Sequence, residues 1–180
     1  MTSVQAEPIR TSRLDLEPLA VTHAAEMAAV LADPALHAFV GGQPLAADAL
    51  HARYERLVGG SADVDVAWLN WVVRSRAEDE LVGTVQATLT NMAGTSAGGL
   101  IAEVAWIIGS PWQARGFARE AALGLVGWLR DLRAGEGARV GTVVAHVHPH
   151  HAASASVAAA AGLRRTDVVE DGEVRWELSL

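Results

Sequence analysis

Apolar residues in the chain follow two periodicities, and the shorter one predicts strands. Residues 12–19 (SRLDLEPL) alternate between apolar and polar side chains, as expected of a strand with one buried face. Asp171-Gly172 separates the last two apolar segments and predicts a tight hairpin. The predicted strands are 12–19, 66–75, 81–90, 100–108, 139–147, 163–169 and 173–180.

The longer periodicity, with apolar residues three and four positions apart, predicts four helices. The first helix is expected to begin at a cap on Thr22 and to end at Asp33-Pro34. The other three are marked by the spacing of Leu50, Tyr54 and Leu57, by the amphipathic segment 117–132, and by the Ala-rich segment 152–161 before Gly162.

The order of these elements, β-α-α-β-β-β-α-β-α-β-β, predicts an α/β (α+β) fold with one mixed sheet of about seven strands and about four helices on its faces. The step from strand 100–108 through helix 117–132 to strand 139–147 predicts a parallel crossover. No repeat, linker or low-complexity tract divides the chain, so we expect a single domain over residues 1–180.

Composition narrows the class of protein. Of the 180 residues 51% are hydrophobic and none is cysteine, which excludes disulfides, thiolate nucleophiles and cysteine-based zinc sites. With no run of eighteen apolar residues and no signal-peptide layout at its start, the protein is expected to be cytoplasmic, with no membrane partner. The net charge of −7 argues against binding to nucleic acid. It suits a protonated amine, although an acidic surface also serves solubility alone.

The segment WIIGSPWQARGFAREAA (106–122) is the one most typical of a ligand site. A strand ends, a Gly-Ser-Pro turn follows, and a helix opens. The first N–H groups of a helix have no intrahelical partner and lie at the positive end of its dipole, so a phosphate is stabilised there. Gly116 and Ala118 leave space beside the backbone, and Arg115 or Arg119 adds positive charge. The same residues would also form an ordinary helix start that contains a glycine.

Four segments in the same order resemble the GNAT acetyltransferase superfamily. Residues 113–118 (QARGFA) fit its pyrophosphate motif Gln/Arg-x-x-Gly-x-Gly/Ala, and residues 112–121 (WQARGFAREA) are similar to the branch of the ribosomal-protein N-terminal (Rim-type) acetyltransferases. IRTSRLDLEPL (9–19), AEVAWII (102–108) and AHVHPHHAASASVAAAAGLRRT (145–166) are similar to other motifs of that branch. The resemblance spans the chain and implies a GNAT-like, mostly antiparallel sheet.

The resemblance also implies an N-acetyltransferase that moves the acetyl group of acetyl-CoA, its cosubstrate, to a primary amine in a ternary complex. In the family the pantetheine arm lies between the fourth and fifth strands, and backbone N–H groups near the end of the fourth contact it. His151 stands where the family usually has an Asn that touches this arm. The residues expected to bind the cofactor are Trp106, Ile107, Ile108, Gln113, Ala114, Arg115, Gly116, Phe117, Ala118, Arg119, His151 and Ser154.

Two residues are candidates for catalysis, each with a second interpretation. Glu103 lies mid-strand among apolar neighbours, where a carboxylate needs a partner or resists ionisation. It is the first choice for the base that takes the proton of the amine, and it is otherwise an edge-facing surface residue. Ser154 either hydrogen-bonds the CoA sulfur or is a small residue that lets CoA approach. Glu80 is a reserve base. Ala158 occupies the position where many family members have a Tyr that acts as the general acid.

The segment HVHPHH (146–151) holds four of the seven histidines. By alternation, His146 and His148 share one face of a strand that Pro149 ends, and His151 opens the next helix. Such a pair needs a third ligand to hold a metal, and the sequence offers none, so no metal site is predicted. A histidine can also serve as general base. The simplest interpretation is a strand end that lines the cofactor cleft.

No motif identifies the acceptor. We expect the acceptor to be chosen by the helices within 22–58, the Gly-rich stretch 91–99 and the last hairpin. Three tryptophans belong either to the core or to the acceptor pocket: Trp68, Trp71 and Trp106. The Ala-, Arg- and Gly-rich composition suggests a GC-rich genome. In such genomes the branch that this chain resembles frequently modifies small molecules, so the resemblance implies a small-molecule amine. A protein N-terminal amine is the alternative, and a non-catalytic acyl-CoA-binding module is an alternative of another class. Both a monomer and a homodimer fit the sequence.

Overall fold

Strands form the centre of the protein. The computed structural model describes residues 4–39, 41–91, 99–134 and 137–180. Eight strands make one sheet in the order β1-β2-β3-β4-β5-β6-β8-β7. They are β1 (Ile9–Arg10), β2 (Leu14–Pro18), β3 (Val66–Ser75), β4 (Glu80–Asn91), β5 (Leu100–Ile108), β6 (Val140–Val147), β7 (Arg164–Glu170) and β8 (Glu173–Ser179).

Four α-helices and three short 3-10 turns complete the described part. The 3-10 turns lie at Val21–His23, Pro34–His37 and Ser110–Trp112. The α-helices are α1 (Ala24–Val30), α2 (Ala47–Gly59), α3 (Phe117–Asp131) and α4 (Ala152–Ala160). This order confirms the predicted succession of elements and the GNAT-like mixed sheet.

Two differences from the sequence prediction lie near the start of the chain. The eighth strand arises because the chain folds back at Thr11, whose N–H donates to Leu14 O at 2.9 Å, so that Ile9 pairs with Leu16. The expected cap on Thr22 is wrong: Thr22 lies within a 3-10 turn, and α1 begins after His23. Because Val21–His23 form the 3-10 turn, these residues are not part of the first turn of a capped α-helix.

Every pair of neighbouring strands is antiparallel except β5 and β6, which are parallel. The predicted crossover through α3 is therefore confirmed. The predicted hairpin is confirmed as well, since Asp171 and Gly172 both have positive φ, 50° and 84°, as a two-residue turn of this kind requires.

Apolar side chains are buried on both faces of the sheet. The larger core joins α3 and α4 to β2–β6, and the buried residues of α3 are those its amphipathic pattern predicts, with Leu125 and Leu129 almost fully buried. A smaller core joins α1 and α2 to Val72 and Leu81. Most of the Gly-rich stretch expected to influence the acceptor, residues 92–98, lies outside the described residues. No helix in the described ranges has the length and apolarity to cross a bilayer.

Candidate active site

The parallel pair β5 and β6 opens into a fork. Their pairing runs from Leu100 opposite Val140 to Glu103 opposite Val144, and the remaining described residues of β5, up to Ile108, do not pair with β6. On its other side β5 stays paired with β4 as far as Ile108 opposite Gly83. Backbone groups of β5 that point away from β4 after Glu103 therefore have no strand partner on the β6 side.

A turn and the start of α3 follow directly after this fork. Gln113 donates from Nε2 to Ile108 O at 3.0 Å, which ties the turn to the end of β5. Ala114 and Gly116 have φ of 59° and 80°, a left-handed conformation that Gly adopts without strain. No side chain caps α3 at Gly116, so the first N–H groups of the helix keep no side-chain partner. This helix start is suited to hold a phosphate.

Glu120 fixes the turn before α3 through hydrogen bonds to the β1–β2 turn. Its carboxylate accepts hydrogen bonds from Thr11 Oγ1, Ser12 Oγ and both N and Nε of Arg13, at 2.6–2.9 Å. Arg13 in turn donates from Nη1 to Arg115 O at 3.0 Å. Burial by itself raises the pKa of Glu120, but these hydrogen bonds outweigh it, and the pKa falls to about 2. Glu120 thus forms a salt bridge with Arg13 and joins the β1–β2 turn to α3.

A cavity of about 510 Å³ lies between the fork, the start of α3, α4 and the connection between α1 and α2. It brings together all the predicted cofactor-binding residues except Arg115. Those on the lining are Trp106, Ile107, Ile108, Gln113, Ala114, Gly116, Phe117, Ala118, Arg119, His151 and Ser154. Seven further lining residues were not among the predicted ones. Ala35, Leu36 and Phe39 carry no motif, whereas the other four lie within the segments 106–122 and 145–166 but were not singled out there: Ser110, Trp112, Ala153 and Val157.

Arg115 lies outside this lining. Its guanidinium forms an ion pair with Glu78, with Nη2 at 2.7 Å from Oε1, and lies over the ring of Phe117. The hydrogen bond from Arg115 is the main reason why the pKa of Glu78 is lowered. The side chain is therefore engaged with a carboxylate, and Arg119 is the cation on the wall of the cavity.

His151 is the residue before α4 and lies on the cavity wall. Its ring stacks on Phe39, with centroids 4.3 Å apart and the planes tilted by 21°. Burial, with a smaller contribution from His148, lowers the pKa of His151. The imidazole is therefore neutral near pH 7 and offers one donor and one acceptor.

The remaining histidines of the cluster have separate partners. His148 lies one residue past the end of β6 and contacts the rings of Phe39 and His150. His146 lies within β6 and contacts Glu103, with Nδ1 at 3.0 Å from Oε1. The described residues contain no group of three or more His, Asp or Glu side chains that could hold a metal ion.

Glu103 has the partner that its position called for. By the alternation of a strand, its side chain lies on the face of β5 opposite Trp106, and it is not on the lining of the cavity. It lies at the last paired position of the fork, and its carboxylate is 58% exposed. The reserve base Glu80 lies at the start of β4 and is also not among the lining residues.

The aromatic candidates have different positions. Trp71 is fully buried and donates its indole N–H to Glu7 O at 2.7 Å, so it belongs to the core. Trp106 lines the cavity, and Trp68 is 40% exposed on β3. Tyr54 is buried between α2 and the sheet, where burial raises its pKa to about 12. Ala158 is fully buried in α4.

Comparison with solved structures gives the same fold. An acetyltransferase of the GNAT family from Bacillus anthracis aligns with a TM-score of 0.71 at 14% identity, over 96% of this chain and 98% of that one. The ribosomal alpha-N-protein acetyltransferase RimL, solved in complex with coenzyme A, aligns with a TM-score of 0.71 at 12% identity, over 97% and 98% of the two chains. A Vibrio cholerae protein described as a ribosomal-protein-serine acetyltransferase aligns at 0.69 and 17% identity, over the whole of both chains. No curated protein sequence matches this chain.

The fold of this chain is thus the fold of solved acetyltransferase structures. Residues 13–164 match the acetyltransferase (GNAT) domain family, so this chain belongs to the GNAT acetyltransferases. It is accordingly an acyl-CoA-dependent acetyltransferase with acetyl-CoA as its cosubstrate.

Proposed function

We propose that this protein transfers the acetyl group of acetyl-CoA to the primary amine of a small molecule, by direct attack in a ternary complex. The observation that carries the proposal is the cavity that joins the start of α3 to the opening fork and is bounded on the far side by Phe39. Ala35, Leu36 and Phe39 bound the space beside the fork, which suits a compact acceptor better than a long chain. A cytoplasmic location belongs to the same proposal and is supported by the lack of cysteine.

The cofactor side of the proposed site relies on the backbone. N–H groups at the start of α3 hold the pyrophosphate, and Arg119 adds positive charge. N–H groups of residues 106–108, at the open edge of β5, hold the pantetheine arm and polarise the thioester carbonyl as charge develops on its oxygen. His151 and Ser154, one turn apart on α4, contact the arm from the opposite side.

The chemical step needs a base, and we assign this role to Glu103. Its carboxylate lies at the vertex of the fork and outside the cavity lining, so it takes the proton of the amine through one bridging water. Ser154 lies on the cavity wall and hydrogen-bonds the departing sulfur. Holding the amine and the thioester side by side supplies much of the acceleration.

A protein N-terminal amine is the second candidate acceptor, supported by the likeness in fold to RimL and to the Vibrio cholerae protein. Titration calorimetry with acetyl-CoA, followed by turnover with a panel of small primary amines and short peptides, tests both. We expect a micromolar Kd for acetyl-CoA, which corresponds to a binding free energy of about −8 kcal/mol. We also expect a higher kcat/KM for small amines than for peptides. Preference for peptides would favour the second candidate, and binding without transfer to any amine would indicate a non-catalytic module.

A further inference from the structure

His146 lies between two carboxylates. Its Nδ1 is 3.0 Å from Oε1 of Glu103 on β5, and its Nε2 is 3.1 Å from Oε2 of Glu170 on β7. The imidazole is 17% exposed, whereas the two carboxylates are 58% and 51% exposed. The ring thus bridges the vertex of the fork and the edge strand of the sheet.

These two contacts require one extra proton in the cluster. A neutral imidazole carries one N–H donor and one acceptor nitrogen, while an ionised carboxylate only accepts. Both contacts are hydrogen bonds only when His146 is an imidazolium or when one carboxyl group is protonated. With that proton present, Glu103, His146 and Glu170 form a continuous hydrogen-bonded line.

The outer end of this line is open to solvent and is held in place by a cation. Arg175 on β8 contacts Glu170, with Nη1 at 3.7 Å from Oε1, and donates from Nε to Oε1 of Glu177 at 2.6 Å. The charged groups around His146 in the described residues are thus Glu103, Glu170 and, one step further out, Arg175 and Glu177.

We propose that His146 is a positioning residue that orients Glu103 and carries the proton removed from the amine to Glu170 and on to solvent. This inference rests on the proposed function. An ammonium group first loses one proton to Glu103, the neutral amine then attacks acetyl-CoA so that the N–C bond forms and the C–S bond breaks, and a second proton of the nitrogen goes to the CoA thiolate. The first proton must leave Glu103 before the next turnover, and beside direct transfer from the half-exposed carboxylate to water, the His146–Glu170 line offers it a hydrogen-bonded route.

The test is chemical rescue of His146→Ala with free imidazole as the probe. At low concentrations of a non-basic buffer we expect kcat to fall about 10- to 100-fold, with the KM for acetyl-CoA within twofold of the wild-type value. Added imidazole should restore kcat in proportion to its concentration, because a small base can take the proton from Glu103. A residue that only supports packing would not give this buffer dependence.

Two further variants keep the test independent of folding. Glu170→Gln, at the half-exposed edge, should show the same rescue with a smaller loss. Asp167→Asn removes one carboxylate from an exposed position of the same strand as Glu170, and its kcat should be unchanged. Two outcomes would overturn the role of the His146–Glu170 line and leave the proposed function intact. In the first, His146→Ala turns over as fast as the wild type; in the second, His146→Ala is slow and imidazole does not rescue it. A wild-type protein without turnover on any amine would overturn the proposed function, and the role of the His146–Glu170 line with it.

Discussion

The two walls of the cavity are built from different kinds of contact. The wall formed by residues 108–119 is fixed by polar contacts of the backbone, from Gln113 to Ile108 O and from Arg13 to Arg115 O. The wall formed by residues 35–39 is apolar where Ala35, Leu36 and Phe39 line the cavity, and the ring of Phe39 stacks on His151 at the start of α4. One wall is therefore held by directional hydrogen bonds and the other by ring stacking.

This difference separates recognition of the cofactor from recognition of the acceptor. A helix start holds phosphate through main-chain groups, whatever the neighbouring side chains are. An apolar wall selects its ligand by the shape and size of its side chains. Changes in the first wall should affect acetyl-CoA binding and stability, and changes in the second should affect the acceptor.

The largest effect is expected at the start of α3. Gly116→Glu puts a negative charge where we place the pyrophosphate and forces a non-Gly residue to φ of 80°. The Kd for acetyl-CoA, measured by titration calorimetry, should rise at least about 100-fold, which corresponds to about 2.7 kcal/mol. Gly127→Glu, on the same helix, is the matched control, because a Cβ at Gly127 would meet no neighbouring heavy atom within 4 Å. Equal losses in both variants would argue against a phosphate site at Gly116.

The next effect tests how the cofactor wall is held. Glu120→Gln keeps the shape of the side chain but removes the charge that accepts four hydrogen bonds from Thr11, Ser12 and Arg13. Because the pKa of Glu120 falls from 4.5 to about 2, its ionisation should stabilise the fold by about 3 kcal/mol above pH 5. The variant should lose about 6–12 °C of Tm at pH 7.

The sign of the pH dependence follows from the direction of that shift. A carboxylate with a lowered pKa stabilises the folded state above its unfolded pKa and loses this contribution as pH falls through the folded value. The difference between wild type and Glu120→Gln should therefore be full at pH 7 and shrink between pH 5 and pH 2. A difference that does not depend on pH would mean that packing, not charge, is lost. Glu55→Gln, in an exposed pair with His51, is the control and should change Tm little.

The contrast between the walls also explains what the sequence could predict. Strands β3–β6 and helices α3 and α4 follow from periodicity, and the residues at the start of α3 follow from a local motif, because one continuous segment builds that wall. Ala35, Leu36 and Phe39 were missed because they lie in an irregular connection, and what brings Phe39 to His151 is packing across more than a hundred residues.

Ion pairs between distant segments were the other feature beyond reach. The Arg115 side chain fits a phosphate motif, yet in the fold Glu78, on the turn between β3 and β4, engages it. The partner of Glu103 is similarly unreadable, since His146 becomes its neighbour only through the parallel pairing of β5 and β6. Local patterns specify backbone geometry, whereas charge partners depend on strand register.

A smaller effect is expected from the apolar wall. Phe39→Ala removes a stacked ring worth about 0.5–1.5 kcal/mol, so the KM of the acceptor should rise about 2- to 10-fold. The Kd for acetyl-CoA should change less, because the backbone groups of the first wall remain in place. Val58→Ala, at an exposed position of α2 outside the cavity lining, serves as the control and should leave both constants unchanged. A larger effect on acetyl-CoA than on the acceptor would contradict the division between the walls.

The smallest effect is expected in the pH dependence of the Tm, and it arises from His151, which stacks on Phe39. Burial and then His148 lower the pKa of His151, so the folded state disfavours the protonated imidazole. For such a group the cost is absent above the unfolded pKa and appears as pH falls below it. Wild type should therefore lose more Tm between pH 7.5 and pH 5.5 than His151→Asn does, since an amide does not titrate there. His51→Asn, on the exposed surface of α2, should reproduce the wild-type trend, and an identical trend in all three proteins would show that His151 titrates freely and that Phe39 does not shield it.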